Sequence, residues 1–89
     1  MALSPELVGK KFDMIIEEIG PTLPHSGFEK HARFTLARVK AHDLLVGDKE
    51  RGITHPIVKA VLMATLKPEM ASHFREEVCS IYEKEAPGN

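Results

Sequence analysis

The sequence has no tryptophan, one tyrosine, one cysteine and no long uninterrupted apolar run. Each shortage excludes something. A lone Cys79 cannot close an intramolecular disulfide, so a fold built without a disulfide framework is expected, and a reducing cytoplasm is the setting that fits. The densest apolar region, IVKAVLMATL, carries Lys59 and falls short of the ~20 residues that a helix needs to cross a bilayer, so no membrane span is expected. The opening residues, MALSPELVGKKF, hold no apolar stretch of signal-peptide length. Four phenylalanines and one tyrosine make a poor platform for stacking single-stranded nucleic acid. With 12 Lys and Arg against 13 Asp and Glu, the formal charge of −1 gives no polybasic field.

What is present describes an ordinary globular chain: 89 residues, 43% hydrophobic and 28% charged, read as a single helical domain over 1–89. A chain of this size buries only roughly 60 to 65% of its unfolded surface. Its core is therefore thin, and burial supplied by a partner would add measurably to it.

The apolar spacing predicts an all-α fold, a compact four-helix bundle with helices at about 5–19, 27–46, 55–67 and 68–84. Ser4 caps the first helix with Pro5 at its first position, and Leu3 and Val8 stand at staple spacing across the start. Val8, Phe12, Ile15, Ile16 and Ile19 then line one face, and Gly20-Pro21 is expected to stop the run. The linker GPTLPHSG reads as a stiff, extended connection. Ser26 and Glu29 form a capping box for the second helix, Gly47 is placed to close it, and the charged loop GDKERG follows. Thr54 is the expected cap of the third helix, at staple spacing between Ile53 and Val58, with His55 as its rival. Pro68 is expected to begin the fourth helix, with Met70, Phe74, Val78, Ile81 and Tyr82 along one face.

The second helix is apolar on two sides. Phe28, Ala32, Thr35, Leu36, Val39 and Val46 form a stripe expected to face the first helix, whereas Phe34, Ala37, Ala41, Leu44 and Leu45 fall on the opposite side. Either this is the central helix, covered twice, or its second side meets another molecule. The small Ala37 and Ala41 would let another helix approach closely. The third helix is also apolar on most sides, with Lys59, Met63 and Lys67 as its polar or adaptable positions. This excess of apolar surface points to a homodimer or a protein partner, with Phe34, Ala37, Ala41, Leu44, Leu45 and Met63 as the expected interface.

Chemical motifs are scarce. His31 and His42 share a side of the second helix but sit roughly 16 Å apart along it, too far for one mononuclear metal site. His31, His42 and His55 are instead the residues whose titration would make association pH-sensitive, and His55 stands at a helix start beside a glycine-flanked loop. Cys79 is expected to be an accessible, ordinary thiol among Glu76, Glu77 and Glu83. Lys30, Arg33, Arg38 and Lys40 give the second helix a basic flank, the basis of a nucleic-acid reading, against which stand the near-neutral charge and a long connection to the third helix. A small-ligand or metal-binding bundle is a further alternative. No catalytic residue, cofactor or metal ligand is assigned, and the expected function is a small, non-enzymatic protein-interaction or regulatory module.

Overall fold

The computed structural model describes residues 4–22, 29–45, 52 and 54–85, with the backbone alone at 21, 22, 29 and 30. Among the described residues the fold is all-α, with four helices and no strand: α1 (Pro5–Thr22), α2 (Glu29–Ala41), α3 (Pro56–Leu66) and α4 (Ala71–Glu85). Leu3, the Ser26–Glu29 capping box, Phe28, Val46, Gly47, Ile53 and nearly all of the GDKERG loop lie outside the described residues or side chains.

Ser4 caps α1 as expected, its hydroxyl oxygen accepting from the Leu7 N–H at 3.2 Å. Val8, Phe12, Ile15 and Ile19 are buried along one face, with Ile16 half-buried beside them. The expected stop at Gly20-Pro21 does not hold, because α1 runs on through Thr22. A proline in a last turn forgoes one backbone bond, a smaller loss than a break in mid-helix.

The second helix is shorter than expected. It tightens at Ala41 into a 3₁₀ turn over His42–Leu44, and Leu45 is already extended, with φ −92° and ψ 151°. Leu44 and Leu45 are both buried there.

At the start of α3 the cap is His55, not Thr54. The residue before a proline is pushed towards extended angles, and His55 has φ −66° and ψ 134°, which is also the conformation of an N-cap. Pro56 then occupies the first helical position. Downstream, Lys67 leaves helical geometry, Pro68–Met70 makes one 3₁₀ turn, and α4 begins at Ala71 rather than at Pro68. Val78 and Tyr82 are the buried residues of α4, Phe74 and Ile81 are half-buried, and Met70 is exposed.

The central helix is α3, which packs against α1, α2 and α4. Ile57, Val58, Ala60, Val61, Leu62, Ala64 and Thr65 are all buried. The hydroxyl of Thr65 donates to the Leu62 carbonyl at 2.7 Å, so its one buried polar group is satisfied within the helix.

The second side of α2 is the more deeply buried one, and the first side is covered only in part. Ala37 and Ala41 are fully buried, whereas Thr35 is exposed and Val39, expected to face the first helix, is 54% exposed. Small residues at the centre of a contact let helix axes approach, and the larger Phe34 and Leu36 sit half-buried at the margins. Both alanines are thus buried within the core of the same chain, where α2 packs against α1 and α3.

Candidate functional site

The expected interface is largely consumed by this core. Ala37, Ala41 and Leu44 have no exposed surface and Leu45 very little, so none of the four is available to a partner. Phe34 is half-buried against the core. Met63, also half-buried, lines a groove of about 240 Å³ between α3 and α4 together with Lys59, Ala60, Phe74 and Glu77.

A second groove, of about 230 Å³, runs between α1 and the end of α2. One bank carries Leu7, Lys11, Met14, Ile15 and Glu18 of α1; the other carries Lys40 and Asp43. Leu7 and Met14 stand seven residues apart, two helical turns, so they form a single ridge. Met14 is 61% exposed and Leu7 40%, which distinguishes this groove from the α3–α4 groove, where Met63 and Phe74 are tucked in. Across it, Lys40 Nζ pairs with Glu18 at 2.9 Å. The apolar spacing of α1 did not single out Leu7 or Met14, since both lie off its main stripe.

The basic flank of α2 divides among different environments. Lys40 is engaged with Glu18, Arg33 is half-buried, Arg38 is exposed, and the side chain of Lys30 is not among those described. The two arginines make interactions of their own.

His31 and His42 are exposed. His55 is mostly buried and has a defined role at each ring nitrogen. Nδ1 accepts from the Ile57 N–H at 3.2 Å, which requires Nδ1 to be unprotonated, and Nε2 lies 2.6 Å from Glu85 Oε1, where it donates. This cap ties the start of α3 to the last turn of α4. A carboxylate beside a histidine is also the arrangement that orients a catalytic base, but such a base needs one nitrogen open to the reacting proton. Here both are occupied. The other oxygen of Glu85 is buried with no hydrogen-bond partner among the described residues. Glu85 was overlooked in the sequence, although one signal pointed to it: an acid in the last turn of a helix opposes the helix dipole unless a group elsewhere compensates it.

Nearer the start of α4, the Arg75 Nε donates to both Asp13 carboxylate oxygens at 3.1 Å. The guanidinium lies directly over Gly9, where an added Cβ would come within 2.6 Å of it. Cys79 is half-buried against the core rather than accessible, with Sγ 3.8 Å from the Pro5 carbonyl. Burial pushes its thiol above the ordinary value; Arg75 opposes the shift, and Glu83, Asp13 and Glu76 add to it. A thiol held protonated in this way is a poor nucleophile.

Among the described residues no three His, Cys, Asp or Glu side chains converge as metal ligands, and no helix is long and apolar enough to cross a membrane. Compared with protein-family models, curated proteins and solved structures, the chain finds no match.

Proposed function

We propose that this chain is a small, non-enzymatic protein-interaction or regulatory module of the cytoplasm that self-associates as a homodimer. The contact surface in this reading is the groove between α1 and the end of α2, in place of the α2 face anticipated from the sequence. The observation that carries it is the Leu7–Met14 ridge, two large apolar side chains left in water along one wall of a groove with an apolar floor. Burying the exposed parts of both contributes roughly 1.5 to 3 kcal/mol per copy. A specific interface usually covers roughly 500 Å² or more on each side, so the residues around the groove must join it and the association is expected to be weak and concentration-dependent.

The non-enzymatic part of the proposal is supported by the two residues best suited to chemistry. His55 spends both nitrogens on structure, and the Cys79 thiol is biased against ionisation. A nucleic-acid reading gains nothing from Lys40, which is spent on Glu18.

The test is solution mass by light scattering over a concentration series, for the native chain and for Met14→Asp. Met14 is mostly exposed, so the variant should keep its helical circular dichroism. A dimer in the native chain that becomes a monomer in Met14→Asp supports the proposal. A native chain that stays monomeric at every concentration refutes self-association, and a dimer indifferent to Met14→Asp moves the interface elsewhere.

A further inference from the structure

The charges on the α1–α2 groove are arranged in a way that bears on what docks there. Of its four charged side chains, Lys40 and Glu18 already bind each other across the groove. Lys11, on the α1 bank, and Asp43, on the bank that follows α2, have no ion-pair partner among the described residues. Among the described residues, one unpaired charge therefore stands on each bank, positive on α1 and negative after α2. An acidic segment laid into the groove would satisfy Lys11 and be repelled by Asp43, and a basic segment would meet the reverse. Only a partner presenting an acid and a base in the opposite order satisfies both.

A second copy of this chain presents that order by symmetry. In a two-fold dimer, residue i of one copy meets residue j of the other, and j meets i. With the axis running along the groove, the α1 bank of each copy faces the α2 bank of its partner. The Leu7–Met14 ridge of each then lies over the other's groove. We infer that the self-association proposed above, on which this inference rests, is isologous about such an axis, and that reciprocal Lys11–Asp43 pairs select its register. The apolar ridge supplies the burial; the paired charges reject the shifted and reversed arrangements, in which like charges meet.

This arrangement has a signature that no unrelated partner reproduces. Lys11→Glu sets Glu against Asp43 at both ends of the dimer, and Asp43→Lys sets Lys against Lys11 at both ends. Each single variant should dimerise about tenfold or more weakly than the native chain. The double variant Lys11→Glu/Asp43→Lys restores opposite charges at both positions and should dimerise again. An equimolar mixture of the two single variants should form the mixed dimer in preference to either homodimer, because both of its cross-pairs are then of opposite sign.

Light scattering on each variant, with native mass spectrometry of the mixture, reads all four outcomes. Asp43 is exposed and Lys11 half-buried, and circular dichroism checks that each variant is folded. Single variants that dimerise like the native chain, or a mixture without preference for the mixed dimer, overturn the reciprocal pairing while leaving self-association through the groove intact. A native chain that is monomeric throughout overturns both.

Discussion

α2 and α3 are neighbours of similar length, and both carry apolar residues around most of their circumference. Yet α3 buries seven of its 11 residues, whereas α2, with 13 residues, buries only Ala37 and Ala41 among its described side chains. The difference lies in charge more than in hydrophobicity. α3 has one charged residue, Lys59, which emerges into the groove beside α4. α2 carries Glu29, Lys30, Arg33, Arg38 and Lys40, distributed so that no second side can be closed without taking a charge out of water. Taking a charge out of water costs several kcal/mol, more than one valine contributes by being covered. So Val39 stays out, and the helix with a single charge takes the centre.

This comparison is sharpest where the same kind of truncation is made in both helices. Ile57→Ala in α3 empties a fully enclosed site and should lower stability by about 2 to 5 kcal/mol in urea denaturation, whereas Val39→Ala in α2 should change it by less than about 0.5 kcal/mol. Equal losses would mean that α2 is covered on both sides after all. A smaller effect is expected from Ala41→Leu, which forces a large side chain into the close approach of α2 to its neighbours. A loss of about 1 to 3 kcal/mol is expected, and a variant of native stability would show that this side of α2 has room to spare.

The smallest effect concerns how α3 is held at its start, by a side-chain cap that reaches α4. His55→Ala removes both the bond to the Ile57 N–H and the partner of Glu85, and a loss of about 1 to 2 kcal/mol is expected by thermal or urea unfolding. His55→Asn keeps a capping oxygen but should not span the distance to Glu85, so it should fall between the native chain and the alanine variant. If the asparagine variant matched the native chain, the contact to Glu85 would contribute nothing and the cap would account for the whole effect.

Much of this architecture was legible before any tertiary contact was known. Helix identity followed from apolar spacing, the first helix start from Ser4-Pro5, and the breaks near residues 55 and 67 from Pro56 and Pro68. The cap at His55 was also within reach, since proline restricts the residue before it; preferring Thr54 gave more weight to staple spacing than to that restriction. Which side of α2 lies deeper was not legible, because both sides are apolar and helical spacing alone does not say which of them a neighbouring helix covers. The candidate groove was hidden for a related reason. Leu7 and Met14 lie off the main stripe of α1, and only the position of Lys40 and Asp43 on the neighbouring bank turns them into a wall.

By itself, then, the sequence determined four helices, their approximate limits and the buried face of α1, because periodicity, capping and proline geometry act over a few residues and are written locally. Tertiary structure alone decided that α3 is central, that Ala37 and Ala41 face inward, that Arg75 crosses Gly9 to reach Asp13, and that Glu85 meets His55. Those outcomes depend on competition among all the helices for a small core, in which volume, charge and the cost of desolvation are settled jointly, and no single segment carries the answer.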